Sequence, residues 1–147
     1  MRRLRRFLRL TAAEQQLLVK AVLLLCATKV GLVLLPFQTL RRLMDKLARV
    51  RLKSPETERE SAGKVAWAVE LAGRLVPWAT TCLTQGLVAQ VLLLRRGRPA
   101  SLHVGVVKDA EQFLAHAWLE SEGKVVIGAY ELDRYTLLTT LEAKVDG

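Results

Sequence analysis

Residues 81–106 read TCLTQGLVAQVLLLRRGRPASLHVGV, and this stretch joins a helix signal to a strand signal. Thr80 or Thr81 can cap the start of a helix, and Cys82 then lies in its first turn. Apolar residues at helical spacing predict one buried stripe on it: Leu83, Leu87, Val91 and Leu94. Two arginines followed by Gly97 predict the end of the helix. Alternating apolar residues then predict a half-buried strand: Leu102, Val104 and Val106.

The sequence after this stretch predicts two more strands, over residues 113–120 and 124–129. The turn near Glu122 and Gly123 should join them as an antiparallel hairpin. We therefore expect an α+β fold in which a cysteine-bearing helix packs on a small antiparallel sheet.

Helices are predicted before this core. Thr11 and Glu14 have capping-box spacing, so a helix should begin at Ala12 and run to about Leu35, where Pro36 interrupts it. A second basic helix is predicted over residues 40–52, with a stripe of Leu40, Leu43, Leu47 and Val50. The polar segment 53–61 is the predicted boundary between a basic amphipathic helical region, 1–53, and a core, 62–147. That core should open with a helix over 62–76, which stops before Pro77.

Charge divides unevenly along the chain. The sequence up to Lys53 holds thirteen Lys and Arg against two acidic residues, a net charge of +11, while the whole chain carries +9. Phe7 and Phe37 are the only aromatic residues before Trp67, so the cation and aromatic mixture of a nucleic-acid surface is missing. The five arginines within residues 2–9 suit anionic lipid or an acidic partner, or they form a solvated end.

The apolar run from Leu17 to Phe37 is long enough for a membrane span, but Lys20 and Lys29 argue against one. The run predicts an amphipathic helix with an apolar face of Leu17, Leu18, Val22, Leu25, Val30 and Val33. A signal-peptide cleavage site is missing. We expect a cytoplasmic protein whose N-terminal helices pack on the core or a partner, or touch the inner face of the membrane.

Composition excludes several classes. A chain of 147 residues, 51% of them hydrophobic, suits one folded domain and not a disordered one. Two cysteines and two histidines form neither a CxxC pair nor a zinc set, so we expect no metal, no cofactor and no disulfide scaffold.

Cys82 and His116 are the candidates for chemistry. A helix N-terminus favours the thiolate of a cysteine and offers backbone N–H donors, and His116 lies in a strand between two alanines. The alternative is that both residues simply pack in the core. Cys26 lies in the middle of a predicted helix and should be structural, while His103 should face away from Leu102 and Val104.

Several motifs together resemble the lasso-peptide biosynthesis B proteins of the transglutaminase-like, papain-related superfamily. The matching segments are Thr81-Cys82-Leu83, Leu94-Arg95-Arg96-Gly97, Pro99, residues 102–106, Ala115-His116-Ala117-Trp118-Leu119-Glu120 and Gly123. The likeness covers roughly residues 62–140, and Leu34-Leu35-Pro36-Phe37 resembles the N-terminal region of the short, stand-alone members.

This resemblance implies a transglutaminase-like or papain-like core and a cysteine peptidase that removes the leader of a ribosomally made precursor peptide. Cys82 would be the nucleophile and His116 the general base. The implied partners are the precursor's leader peptide, a separate leader-recognition protein and an ATP-dependent macrolactam synthetase. The candidates for lining the substrate cleft are Trp78, Gln85, Trp118 and Glu120, unless the two tryptophans are core residues.

The sequence departs from the family at one position. The family often has an aspartate about twelve residues after the histidine, where this chain has Gly128. Asp133, Gln85 or a backbone carbonyl could orient the imidazole instead, while Glu120 should share the face of His116 two pleats away. An acyl transferase using the same pair, and a catalytically idle adaptor that binds the precursor or docks on a membrane, remain open.

Overall fold

The computed structural model describes residues 2–49, 62–129 and 132–142. Its elements in chain order are the helices α1 (Arg2–Leu8), α2 (Ala12–Leu34), α3 (Phe37–Arg49), α4 (Ala62–Leu75) and α5 (Cys82–Arg95) and the strands β1 (Ser101–Asp109), β2 (Gln112–Ser121), β3 (Lys124–Ile127) and β4 (Thr136–Glu142). Short 3₁₀ turns cover Pro77–Ala79 and Leu132–Arg134. The predicted α+β class is confirmed.

The start of α2 follows its capping signal. The Thr11 hydroxyl accepts a hydrogen bond from the Glu14 amide at 3.2 Å, and the helix ends just before Pro36. Helix α3 begins at Phe37, three residues earlier than predicted, and the Leu40 amide bonds to the Pro36 carbonyl at 3.1 Å. The sequence did not predict α1, which Gln15 fastens to α2 by donating to the Phe7 carbonyl at 2.8 Å.

Both predicted ends of α5 are confirmed. Thr81 is the N-cap and forms a capping box with Thr84. At the other end Gly97 has a φ of 73°, a conformation that favours glycine, and its amide bonds to the Leu94 carbonyl at 3.0 Å. The Arg98 amide bonds to the Leu93 carbonyl at 2.9 Å, which completes a Schellman motif.

The four strands form one antiparallel sheet in the order β3-β2-β1-β4. The predicted hairpin of β2 and β3 is confirmed, and its turn residues Glu122 and Gly123 have φ values of 53° and 81°. Strand β4 was missed, because TLLTTLE lacks a clean alternation of apolar and polar residues.

The helices cover one face of the sheet and share its core. The largest fully buried apolar side chains come from α2, α4, α5 and three strands: Leu17, Leu25, Val65, Val69, Leu87, Val88, Leu92, Leu93, Leu102, Leu119 and Ile127. The two predicted regions thus contribute to one hydrophobic cluster, while the boundary predicted at 53–61 lies outside the described residues.

Two predicted apolar stripes were partly wrong. On α2 the structure buries Leu17, Leu18 and Leu25 but leaves Val30 and Val33 exposed, because the helix is apolar on nearly every side and its own pattern does not fix the buried face. On α3 Leu43 is exposed, and the buried stripe is Leu40, Met44 and Ala48. Val50 lies outside the described residues.

Candidate active site

Cys82 is the first residue of α5, and its half-buried side chain packs against the core. The Thr81 cap satisfies the Thr84 amide at 3.1 Å, and the Thr81 carbonyl accepts from the Gln85 amide at 3.0 Å. The backbone N–H groups of Cys82 and Leu83 lie in the first turn of α5 and have no carbonyl acceptor within the helix. N–H groups at a helix start are suited to bind an anion.

His116 lies in β2, and the carbonyl oxygen of Gly128 fixes its imidazole. The ring Nε2 donates to that oxygen at 2.7 Å. Because a carbonyl oxygen only accepts, Nε2 carries a proton, and in the neutral ring Nδ1 is left with the lone pair. The backbone carbonyl that the sequence analysis kept among the orienting groups is the one that bonds to the ring.

The local backbone explains why residue 128 is a glycine. Gly128 has a φ of +79°, a backbone conformation that residues with a side chain rarely adopt. A Cβ there would lie 2.7 Å from the Ala117 carbonyl oxygen. The same Cβ would lie 3.2 Å from the Trp118 Cα. The chain passes too close to β2 for an aspartate at this position.

Two aromatic side chains flank the imidazole of His116. The Trp118 ring is stacked with it at a centroid distance of 6.1 Å, and the Tyr135 ring lies 5.2 Å away at 37°. Trp118 is buried, and it crosses Gly105, where a Cβ would lie 2.9 Å from the indole Cζ3. Sequence analysis missed Tyr135, since it follows a 3₁₀ turn and belongs to no motif.

Glu120 contacts His103, the second histidine of the chain. It lies on the same face of β2 as His116, as alternation predicts, but its Oε2 is 3.1 Å from the Nε2 of His103. The other ring nitrogen of His103 is 2.8 Å from the Thr140 hydroxyl. His103 does face away from Leu102, and it is half-buried and bonded on both sides.

The remaining predicted site residues are Asp133, Gln85 and Trp78. Asp133 is exposed in the second 3₁₀ turn, and the amide of Gln85 lies against Gly73 of α4, where a Cβ would be 2.6 Å from its Nε2. Within 2–49, 62–129 and 132–142, no hydrogen bond joins either residue to His116. Trp78 is exposed in the 3₁₀ turn that precedes α5.

Cys82 and His116 belong to elements that pack together, but no hydrogen bond joins their side chains in the part of the chain that the structure describes. Gly86 of α5 lies on Leu102, which pairs with Leu119, so alternation puts His116 on the other face of β2. Strand β3 pairs with β2 only from Leu119 to Ser121. The edge of β2 beside His116 is therefore not covered by pairing with β3.

One cavity lies away from these residues. It measures about 630 Å³ between the start of α4 and the hairpin of β2 and β3, and Trp67, Glu70, Arg98 and Lys124 line it. Neither Cys82 nor His116 does. Among the described residues, no group of three or more His, Cys, Asp and Glu side chains could hold a metal ion.

Comparison with known families identifies the family of the chain. The model described as the transglutaminase-like superfamily matches residues 22–140, which include every element from the middle of α2 to β4. No curated protein and no solved structure matches the chain.

Proposed function

Because the chain belongs to the transglutaminase-like superfamily, we propose that it is a cysteine peptidase that removes the leader of a lasso-peptide precursor, with Cys82 as nucleophile and His116 as general base. The superfamily includes cysteine peptidases and acyl transferases. The finer proposal rests on the combined motifs around the two residues.

The observation that carries the proposal is the 2.7 Å hydrogen bond from the His116 Nε2 to the Gly128 carbonyl. It leaves Nδ1 as the basic nitrogen of the neutral ring and holds the ring plane, which is what the third group of a catalytic triad does. A backbone carbonyl takes this part where the family often has a carboxylate.

In the proposed reaction the Cys82 thiol gives its proton to the His116 Nδ1, and the thiolate attacks the carbonyl carbon of the scissile peptide bond. The developing oxyanion accepts hydrogen bonds from amides of the first turn of α5. The imidazolium protonates the leaving amine, and the C–N bond breaks to leave a thioester. His116 then takes a proton from water, whose oxygen attacks the thioester and releases the leader as a carboxylic acid. The proton passes from His116 to the departing thiolate, which restores the resting pair.

The flanking aromatic rings support this role of His116. An imidazolium forms in the reaction, and the faces of Trp118 and Tyr135 lie close enough to stabilise a cation. The two side chains must also approach each other on substrate binding, because no hydrogen bond joins them in the described part of the free protein.

The test is incubation of the purified protein with its precursor peptide and a leader-recognition protein, followed by mass spectrometry. We expect loss of the leader. We expect Cys82→Ala to abolish it, His116→Ala to slow it about a hundred- to ten-thousandfold, and Cys26→Ala to leave it unchanged. Addition of an amine would show an acyl transferase instead. An unchanged precursor would favour the idle adaptor, and equal cleavage by Cys82→Ala would show that Cys82 is not the nucleophile.

A second measurement tests the coupling of the two residues without a substrate. Iodoacetamide should alkylate Cys82 of the folded protein faster than Cys26, and His116→Gln should slow the alkylation of Cys82. Identical alkylation rates in the parent and the variant would contradict the proposed pair.

A further inference from the structure

The outer face of α2 carries an apolar stripe that the protein does not bury. Its exposed members are Val19, Leu23, Val30, Val33 and Leu34. At 100° per residue they fall within about 120° of the helix circumference. The opposite side of the helix holds Leu17, Leu18 and Leu25, which are buried in the core. One side of α2 therefore packs against the hydrophobic core, and the opposite side is exposed.

Lysines border this stripe on both sides. Lys20 and Lys29 are nine residues apart, which sets them about 180° apart around the helix, one on each flank. Both side chains are half-buried. A helix that lies in a membrane interface has this arrangement, with cations at the margins of its apolar face.

Helix α1 repeats the pattern on a smaller scale. Leu4 and Leu8 are one turn apart and exposed, beside four exposed arginines, Arg2, Arg5, Arg6 and Arg9. Phe7 packs against the core, and its carbonyl accepts from Gln15 of α2, so α1 is held at the start of the longer helix. Arginines beside exposed leucines attract a surface that is both anionic and apolar.

Length and composition alone would allow α2 to cross a membrane, and it is the one helix in the described ranges that is long and apolar enough. Its packing argues for another placement. The buried side of α2 contacts α4, which carries Glu70 and Arg74, and a spanning α2 would draw these charges into the hydrocarbon. The helix can instead lie flat, with the stripe in the interface and the folded core in water.

We propose that the exposed apolar side chains of α1 and α2, together with exposed arginines within and directly after α1, form a lipid-binding surface that docks this protein on an anionic bilayer. The surface comprises Leu4, Leu8, Val19, Leu23, Val30, Val33, Leu34, Arg2, Arg5, Arg6 and Arg9. Lipid is favoured over an acidic protein because the apolar stripe extends from Val19 to Leu34 and exposed arginines lie within and directly after α1, so that apolar and cationic groups can both meet a headgroup layer. This proposal does not depend on the proposed peptidase activity.

The experiment is sedimentation of the full chain with vesicles of phosphatidylcholine alone or of equal parts phosphatidylcholine and phosphatidylglycerol. We expect pelleting with the anionic vesicles, weak pelleting with the neutral ones, and release by high salt. Leu23→Glu should weaken the partition constant about tenfold or more. Leu138→Glu is the matched control, because Leu138 of β4 is 64% exposed against 63% for Leu23, and it should bind as the parent does.

Charge is tested in the same way. The double variant Arg5→Gln, Arg6→Gln should weaken binding about tenfold or more, since two cations that attract the anionic headgroups are lost. The control is the double variant Lys108→Gln, Lys124→Gln. It removes the same charge from two exposed residues that are not part of the lipid-binding surface, so it should change vesicle binding little.

Three outcomes would overturn the proposal. No pelleting with anionic vesicles at low salt would leave an acidic protein as the occupant of the surface. Equal losses for Leu23→Glu and Leu138→Glu would show that the stripe is not the contact. Release by detergent alone would show that α2 spans the bilayer. If Leu23→Glu fails to fold, Leu23→Trp should gain quenching by brominated lipid on vesicles, and Leu138→Trp should not.

Discussion

At the scale of single residues, Gly128 determines how His116 is held. Its carbonyl accepts from the imidazole, while its positive φ and its closeness to β2 exclude a side chain at this position. The orienting group is therefore an atom that every residue type possesses, and the backbone path, not the side chain, puts it within reach.

We expect Gly128→Ala to destabilise the fold by about 2 kcal/mol or more, because the new Cβ meets the Ala117 carbonyl and the φ is unfavourable. Gly128→Asp should behave likewise and should not raise activity. Urea unfolding and leader cleavage measure the two effects. Gly123→Ala is the control, because a Cβ there has nothing within 4 Å and adds only the φ penalty. A more active Gly128→Asp would contradict this account of the site.

The ring contact of Tyr135 gives a second expectation. Tyr135→Leu should lower kcat about three- to tenfold with little change in KM, because one face that stabilises the imidazolium is lost. Tyr135→Phe keeps that face and should restore most of the rate. Loss of activity in both variants, or a rise in KM alone, would indicate a different role for this side chain.

The residues of the site differ in how far the sequence could predict them. Cys82 and His116 stand in local motifs, so their elements and neighbours could be predicted. The bond to Gly128 depends on how closely the chain after β3 approaches β2, and Tyr135 reaches the ring through that same tertiary path. Neither the close approach nor the ring contact leaves a periodic signal.

At the scale of elements, Gln90 joins parts of the chain that lie far apart in sequence. Its amide nitrogen donates to the Ala100 carbonyl at 3.1 Å and to the Leu141 carbonyl of β4 at 2.7 Å. Its oxygen accepts from Arg41 of α3 at 3.0 Å. A polar residue on the buried side of α5 therefore fixes α3, α5 and β4 to one another.

We expect Gln90→Leu to cost about 2 to 4 kcal/mol, since two carbonyls and a guanidinium lose a buried partner. Denaturant unfolding measures the loss. Gln112→Leu, at an exposed position of β2, should change stability by less than about 0.5 kcal/mol. Similar values for the two variants would show that the three bonds contribute little.

The ends of elements were easier to predict than their buried faces. The capping residues bond to groups only a few positions away in the chain, so the local sequence is enough to predict them: Thr11, Thr81 and Gly97. The buried face of α2 is decided by contact with α4 and α5, and strand β4 is positioned by its pairing with β1. Tertiary contacts of that kind have no local signature.

At the scale of the whole molecule, the N-terminal helices and the sheet share one hydrophobic cluster. Leu17 and Leu25 of α2 belong to it together with Leu87 of α5 and Leu119 of β2. All three tryptophans lie after residue 62, in α4, the first 3₁₀ turn and β2, so their fluorescence reports on the C-terminal part alone. Unfolding can therefore show whether the two parts melt together.

We expect Leu25→Ala to lower the free energy of unfolding by about 2 to 5 kcal/mol, with tryptophan fluorescence and far-ultraviolet circular dichroism shifting to the same denaturant midpoint. Leu23→Ala, on the exposed side of the same helix, should leave both midpoints almost unchanged. A fluorescence midpoint unaffected by Leu25→Ala would show that α2 unfolds independently of the sheet.

The Gly128 carbonyl has a consequence for genetics. A scan that replaces every acidic and amide side chain in turn would find no third contributor, and the protein would be recorded as working with two groups. Replacing the peptide link between Gly128 and Ala129 by an ester would test this contact, because an ester carbonyl oxygen is a weaker hydrogen-bond acceptor than the amide oxygen that now holds His116. Semisynthesis is thus the tool that can count the members of this site.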